Sequence, residues 1–267
     1  MKSIHTLLPL AIITAVAATS AAAAKIVESY SHAFPLDDVK LVSLKNTNGG
    51  VDCASSAEVS EIAVSYTITV EGGSDESARE YFDKIKVDIV RDGDELKVKA
   101  ELPKTNRSIW NWFGLGSPSG SISYELEVPA NVGVNLESVN GRLNVDGVSG
   151  NTRAATVNGA IRASNLGAPA QMETVNGSIT ASFSDGAIGG DMSFSTVNGS
   201  VRAYLPEGAA FDLSVDTVNG SVGTDFELPA DARKDKRHLK AQINGGGPGV
   251  RASTVNGSVR VKQGAGD

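Results

Sequence analysis

Reactive and aromatic side chains are scarce in this sequence. Its 267 residues include one cysteine, three histidines and two tryptophans, and aromatic residues make up 5% of the chain. The single cysteine, Cys53, excludes an internal disulfide and is expected to be a small buried apolar residue. Two histidines, His32 and His238, lie beyond the first 24 residues. The composition therefore argues against a histidine-activated nucleophile.

Motifs for other chemistries are missing as well. The sequence has no Gly-x-Ser-x-Gly elbow of a hydrolase and no phosphate loop with Gly-Lys-Ser/Thr. The glycines at 245–247 lack the Asp that calcium-binding β-roll repeats supply. A net charge of −7 argues against nucleic acid and anionic membrane surfaces as main partners. We therefore predict no catalytic residue, no metal and no cofactor.

Residues 1–24 have the three-part layout of a secretory signal peptide. A short basic start precedes an apolar run from Leu7 to about Ala18, and small residues then lead to Ala22-x-Ala24. That run is too short to span a bilayer comfortably, and no later apolar stretch approaches spanning length. We expect cleavage and export to the periplasm, with the cell surface or the exterior as alternatives, and no transmembrane segment in the mature chain.

Residues 25–130 are predicted to form a β-rich but irregular first part. Alternating apolar side chains predict a strand over 61–71. A short helix is expected over 74–82, with Ser74 as its N-cap. Two alternating segments within 85–100 flank an Asp-Gly pair and predict a hairpin.

An aromatic loop interrupts this pattern at residues 104–120. Trp110, Trp112 and Phe113 cluster here among Gly and Pro residues that are typical of a loop. The cluster could bind a partner, as a protein anchor or as a stacking platform for a carbohydrate. We favour a second interpretation, a hydrophobic plug, because the terminal repeats of a stacked column must cover their open core.

The sequence Val-Asn-Gly occurs six times within residues 131–262, which a short tail, 263–267, follows. Thr precedes five of the copies and Ser the first, and the Asn residues are 18, 18, 22, 21 and 37 positions apart. We considered the Asn244-Gly245 pair inside the last gap as a degenerate copy, and the turn at 46–50 as a weak early one. A unit that recurs at this period indicates a stacked repeat protein. The predicted structural corners are Asn140, Gly141, Asn158, Gly159, Asn176, Gly177, Asn198, Gly199, Asn219, Gly220, Asn256 and Gly257.

Each copy reads as a strand, a tight corner and a second strand, and two all-β architectures fit this unit. In an antiparallel hairpin meander, each Asn-Gly would be a two-residue type I′ turn. In a β-solenoid, successive coils would stack with parallel strands. We predict the solenoid because stacked corners would place the Asn amides in a ladder, and because the Val before each Asn would suit an inward corner. Six coil steps at about 4.8 Å would make a column about 29 Å long.

The repeated Thr-Val-Asn-Gly-Ser followed by Ile or Val, after a signal peptide and an irregular β-rich part, resembles the bacterial putative-adhesin family of unknown function, number 4097. The resemblance covers about residues 40–262 and is clearest from 134 onward. It implies an exported β-solenoid of the cell envelope, and it supplies no catalytic residues.

Three functions are compatible with this pattern. The first is a non-enzymatic adhesin-like or scaffolding protein whose Thr, Ser and Asn ladders contact an unidentified envelope glycan or protein. The second is a carbohydrate-active solenoid enzyme, which would need paired acids beside a groove. The acids Glu173, Asp191, Asp212 and Asp216 fall at unmatched repeat positions, which weighs against it. The third is a periplasmic module that reports on the envelope through a protein partner, and the sequence does not separate it from the first.

Overall fold

The computed structural model describes residues 14–15, 24–56, 59–103, 117–184, 186 and 188–264. These residues form 22 strands and one α-helix, α1 (Asp75–Phe82). The strands are β1 Thr14–Ala15, β2 Ala24–Pro35, β3 Leu41–Lys45, β4 Val51–Ser56, β5 Glu61–Gly72, β6 Lys86–Asp92, β7 Glu95–Glu101, β8 Ser119–Pro129, β9 Gly133–Asn140, β10 Leu143–Asp146, β11 Thr152–Asn158, β12 Ile161–Leu166, β13 Ala170–Asn176, β14 Ile179–Phe183, β15 Met192–Asn198, β16 Val201–Leu205, β17 Phe211–Asn219, β18 Val222–Thr224, β19 Arg233–Lys234, β20 His238–Ile243, β21 Gly249–Asn256 and β22 Val259–Gln263.

The described strands form two eleven-stranded sheets around one apolar core. Sheet A has the order β1-β2-β5-β8-β4-β10-β12-β14-β16-β22-β18. Sheet B has the order β19-β20-β17-β21-β15-β13-β11-β9-β3-β7-β6. Because side chains alternate along a strand, every second residue points into the space between the sheets and the others form the two outer faces.

Seven coils with an Asn-Gly corner build most of the column, and each supplies one strand to each sheet. In stacking order the coils are β3–β4, β9–β10, β11–β12, β13–β14, β15–β16, β21–β22 and β17–β18. Neighbouring coils pair in parallel and align equivalent residues, such as Asn158 with Asn176. The predicted β-solenoid is confirmed. The hairpin meander is wrong for the repeats, because each Asn-Gly corner leads the chain into the other sheet and not back along the same one.

The coils do not stack in the order of the sequence. The sixth Val-Asn-Gly copy, in β21–β22, lies between the fourth copy and the fifth. Before it, the chain leaves the column as the β19–β20 ribbon, and β20 pairs antiparallel with β17. Asn244 and Gly245, with φ of 50° and 93°, turn the chain back after β20. The interpretation of this pair as a degenerate corner is therefore wrong, and the excursion explains the long last gap between copies.

At the N-terminal end, β7 and β8 add one more parallel layer against β3 and β4, and antiparallel strands extend the column beyond it. In sheet A, β5 lies between β2 and β8 and pairs antiparallel with both. In sheet B, β6 and β7 form the predicted hairpin, with Gly93 (φ 66°) and Asp94 between the paired residues Asp92 and Glu95. Helix α1 begins as predicted, because Ser74 and Ser77 form a reciprocal capping box. The predicted early corner is present too, since Asn48 bridges to the corner of the next coil.

The threonine of each repeat points inward and the valine outward. Thr156, Thr174, Thr196, Thr217 and Thr254 are buried. The six valines that follow the repeat Thr or Ser keep 37–55% of their surface exposed. The expectation that Val would face an inward corner is wrong, because strand alternation gives Thr the inward position and its neighbour the outward one.

Two predicted segments lie wholly or mostly outside the described residues. Of the predicted signal peptide, the structure describes Thr14, Ala15 and Ala24. The aromatic cluster Trp110, Trp112 and Phe113 lies between the end of β7 and the start of β8, outside the described part of the chain. Within that part, no helix has the length and apolar character needed to cross a bilayer.

Candidate functional site

A ladder of asparagine side chains runs along the corner edge of the column. In each of its six steps, Nδ2 of one Asn donates to Oδ1 of the neighbouring Asn at 2.8–2.9 Å. In stacking order the ladder consists of Asn48, Asn140, Asn158, Asn176, Asn198, Asn256 and Asn219. These amides therefore engage one another along the axis, as stacked amides do in cross-β assemblies.

The glycine of each corner makes room for the next coil. An added Cβ would come within 1.7–2.0 Å of a glycine carbonyl oxygen in the neighbouring coil. This holds for Gly141, Gly159, Gly177, Gly199, Gly220 and Gly257. None of the ladder asparagines has a positive φ, and Gly257 is the one corner glycine of these six that does. Close stacking of the coils therefore accounts for the glycine of each corner.

The buried threonines tie each corner to its neighbour. In five coils the Thr hydroxyl donates to a glycine carbonyl of the adjacent coil at 2.8–3.1 Å, as Thr174 does to Gly159. In the first coil Asn46 takes this place, and its amide donates to the carbonyl of Ile122 in β8 at 2.8 Å. In the second coil the buried hydroxyl of Ser138 has no hydrogen-bond partner among the described residues. The other corners are hydrogen-bonded to their neighbours, and the asparagines predicted as corners are occupied in holding the fold together.

A polar groove of about 590 Å³ lies on the outer face of sheet B, at the end of the column where the sixth copy is inserted. Strands β17 and β20 supply one part of it, and β21 with the segments before β15 and β21 supplies the other. We call it the sheet B groove. Its polar and glycine lining consists of Asp191, Asp212, Ser214, Asp231, Arg233, Lys240, Gln242, Gly247, Gly249 and Arg251.

Glycines let charged side chains lie across the floor of the sheet B groove. A Cβ on Gly249 would come 3.3 Å from the Arg251 guanidinium, and one on Gly246 would come 2.7 Å from Oδ1 of Asp212. Asp191 accepts the Gly249 N–H at 2.7 Å and lies 3.4 Å from Nη1 of Arg251. The Gly249 N–H, and then Arg251, lower the pKa of Asp191. This carboxylate is therefore held in its ionised form.

Charges of both signs meet in the sheet B groove. Asp191, Asp212 and Asp231 supply carboxylates. Arg233 and Lys240, which are register partners in the β19–β20 ribbon, supply cations. Such a lining offers fixed donors and acceptors to a polar ligand.

Sequence reasoning named two residues of this groove but did not predict the groove. It singled out Asp191 and Asp212 as acids at unmatched positions, and the fold brings both to the groove, while Glu173 and Asp216 do not line it. It missed Arg251, which the insertion of the sixth copy carries beside Asp191. The basic run at 233–238, which reaches the groove through Arg233, is the signal in the sequence that points to it.

The residues that suggested reactive chemistry are placed elsewhere. Cys53 is buried, and burial raises the pKa of its thiol to about 12. His32 stacks against Tyr66 at 5.8 Å between ring centres, and burial lowers its pKa. His238 contacts Asp235 on the exposed ribbon. Across the ranges that the structure describes, no group of three His, Cys, Asp or Glu side chains is arranged to hold a metal ion.

Comparisons with known proteins agree with this fold. The family model described as Toastrack DUF4097 matches residues 34–262. A search of the curated proteins finds none that matches the chain.

Solved bacterial structures resemble the column. A putative cell adhesion protein from Clostridium sporogenes ATCC 15579 is 11% identical, with a TM-score of 0.52, over 89% of this chain and 100% of that one. A putative adhesin from Bacteroides fragilis NCTC 9343 is 8% identical, with a TM-score of 0.38, over 88% of this chain and 96% of that one. At these identities the first likeness concerns the fold alone, and the second adds no argument.

Proposed function

We propose that this chain, which belongs to the Toastrack DUF4097 family, is a non-enzymatic, exported protein of the cell envelope that acts as an adhesin-like scaffold and binds glycans in the sheet B groove. The observation that carries this proposal is the groove itself, a polar concavity of about 590 Å³ on a regular column. Its volume lies within the range of about 300–1,000 Å³ that is common for ligand sites.

The chemistry of the groove favours a ligand rich in hydroxyl groups. Carboxylates accept hydrogen bonds, guanidinium groups donate them in a planar fork, and the Gln242 amide does both. None of the described lining residues is aromatic, so recognition would depend on hydrogen bonds and not on ring stacking. The solenoid places these groups on a backbone cross-linked by ladders, which lowers the ordering cost of binding.

The same groups argue for binding over hydrolysis. A glycosidase needs one carboxylic acid whose pKa is raised so that it can protonate the leaving oxygen. Asp191 has the opposite shift. The name of the Clostridium sporogenes protein, a putative cell adhesion protein, is compatible with a binding role.

A glycan array tests this proposal. The full chain is compared with a groove variant, Asp212→Asn with Arg251→Gln, and with a matched control, Glu137→Gln with Lys45→Gln. Like the groove variant, the control removes one acid and one base. These two form an exposed ion pair at 3.0 Å on the same sheet face, at the other end of the repeats. We expect saturable binding of a glycan class, weakened about tenfold or more in the groove variant and within about twofold of wild type in the control. Absence of glycan binding, or equal binding by both variants, would refute the proposal.

The aromatic loop remains a separate proposal from the sequence. Replacing Trp110 and Trp112 with Ala should strongly reduce thermal stability if the loop is a plug. If the loop binds a partner, the same variant should keep its melting temperature and lose affinity. The glycan array on this variant, with a melting curve beside it, separates the two interpretations.

A further inference from the structure

Charges are segregated along the outer face of sheet A. At one end β5, β8, β4 and β10 present outward carboxylates. Those without an ion pair form what we call the acidic half: Glu61, Glu125, Glu127, Asp52 and Asp146. Glu71 of β5 also points outward, but it is paired with Lys25 of β2. At the other end β12, β16 and β22 present the basic half: Arg162, Arg202, Arg260 and Lys262. One exception lies in each half, Arg142 at the β10 corner and Asp225 just after β18.

These charges have no oppositely charged partner within the described part of the chain. No ion pair there joins any of the nine side chains of the two halves. On the outer face of sheet B, by contrast, Lys45 contacts Glu137 at 3.0 Å, and Lys99 contacts Glu101 at 2.6 Å. Sheet A has such a pair too, Lys25 of β2 with Glu71 of β5 at 3.2 Å. The nine charges of the two halves, however, are not neutralised by ion pairs.

Like charges even lie directly opposite each other on sheet A. Asp52 is the register partner of Glu125, and Arg202 is the register partner of Arg260. Such pairs destabilise an isolated sheet. The arrangement is unfavourable for a single copy, and it becomes favourable when a surface of the opposite polarity covers the face.

A second copy of the chain offers a surface of the opposite polarity, because its own sheet A has the same two halves. The boundary between the halves lies between β10 and β12, with four strands on each side from β5 to β22. A two-fold axis lying in the face, parallel to the strands at this boundary, would place β12 over β10, β14 over β4, β16 over β8 and β22 over β5. Arg162 then opposes the strand of Asp146, and Arg202 the strand of Glu125 and Glu127. The strand of Arg260 and Lys262 opposes the strand of Glu61.

The face is large enough for a modest interface. Eight strands at about 4.8 Å, with about five residues of each strand, present roughly 550 Å² per copy, or roughly 1,100 Å² in total. This is near the lower bound of about 1,000 Å² for specific association. Ser65, Ser123 and Thr180 lie among the charges, and these small side chains permit close approach.

We propose that two copies of this chain associate as an antiparallel, two-fold dimer through the outer faces of sheet A, with the acidic half of each copy against the basic half of the other. The interface is self-complementary, as two-fold symmetry requires. Because it depends on charge, the dimer weakens as salt is added. This inference is independent of the sheet B groove, which lies on the opposite outer face and stays open in the dimer.

Charge reversal tests the dimer by sedimentation velocity over a range of protein concentrations, at 20 mM and 500 mM NaCl. Wild type should dimerise reversibly at low salt and dissociate at high salt. The double variants Arg162→Glu/Arg202→Glu and Glu125→Arg/Glu127→Arg should each weaken dimerisation at least tenfold. Mixing the two should restore a heterodimer, and all four substitutions in one chain should restore the homodimer, because the polarity of the face is then exchanged.

A control variant and an alternative ligand complete the test. Lys45→Glu with Glu137→Lys exchanges a pair on sheet B and should leave the dimer unchanged, and a melting curve for each variant establishes that it is folded. A wild-type chain that stays monomeric at low salt would overturn the proposal, as would reversals that leave the dimer intact. Binding of an acidic polysaccharide to the basic half of a monomeric chain would assign this face to that ligand instead.

Discussion

The two long edges of the column differ in nearly every respect. At the corner edge, the same Asn and Gly recur in coil after coil, joined by side-chain ladders. At the opposite edge, where each coil returns to sheet B, the connections differ in length and sequence. The excursion that precedes the sixth copy belongs to this return edge. The sheet B groove lies on the outer face beside it, and its Asp191 and Gly247 come from the return connections. The comparison indicates that the corner specifies the stacking, which leaves the return edge free to carry a site.

The largest difference in stability between the two edges is expected when a glycine is replaced by alanine, which adds one methyl group. In Gly177→Ala, the new Cβ would lie 1.9 Å from the Gly159 carbonyl oxygen, so the stacked backbones must separate. We expect a loss of about 3 kcal/mol or more in the free energy of unfolding, measured by urea denaturation. The matched change at the return edge, Gly208→Ala, has no heavy atom within 4 Å of the new Cβ and should change stability by less than about 1 kcal/mol. Equal effects would contradict the proposed role of the corner.

Buried threonines at the two edges should respond differently to the loss of a hydroxyl. Thr174, at the corner, donates to Gly159 at 2.9 Å. Thr152, at the start of β11 on the return edge, is equally buried, but its hydroxyl has no partner among the described residues. Thr174→Val should therefore cost about 1 kcal/mol in the same denaturation assay, and Thr152→Val should be neutral or stabilising. If both cost the same, packing and not hydrogen bonding would explain the repeated Thr.

The asparagine ladder should be weaker per hydrogen bond, and its effect should depend on position. Asn176 takes part in two ladder bonds, and Asn219 ends the ladder with one. We expect Asn176→Ala to lower the free energy of unfolding by about 1 kcal/mol and Asn219→Ala by about half as much, because these bonds are exposed to water. Equal losses at both positions would mean that the Asn acts through its own turn and not through the ladder.

Sequence reasoning predicted the corner edge better than the return edge, for a physical reason. A ladder needs the same residue at the same place in every coil, so Asn158 and Asn176 reveal their contact in the spacing alone. The predicted inward orientation of Val157 was wrong. The repeat shows which residues recur, but it does not show which of them points inward, and in the structure Thr156 has the inward position.

The sheet B groove depends on contacts between residues that do not recur at a fixed spacing in the sequence. Asp191 meets Gly249 across 58 positions because the sixth copy, and not the fifth, stacks on the fourth. The copies around Asn219 and Asn256 have the same motif and could each fit that place. What separates them is the antiparallel strand β20 against β17, which covers the flank of the fifth copy and leaves it at the end of the column. Residues such as Arg251 could therefore be assigned to the groove only from the structure.

The ion pair that joins the fourth copy to the sixth should show the smallest effect, and a pH-dependent one. The pKa of Asp191 is lowered by the Gly249 N–H and by Arg251. Its carboxylate therefore contributes stability above its unfolded pKa, near 3.9, and this contribution is lost as the pH falls through the lower folded pKa. Asp191→Asn should lower the melting temperature slightly at pH 7, and the difference should be smaller at about pH 3, below the unfolded pKa. A difference of equal size at both pH values would mean that Asp191 stabilises the return edge by packing and not by its charge. The charges at this edge would then contribute to ligand binding and not to folding stability.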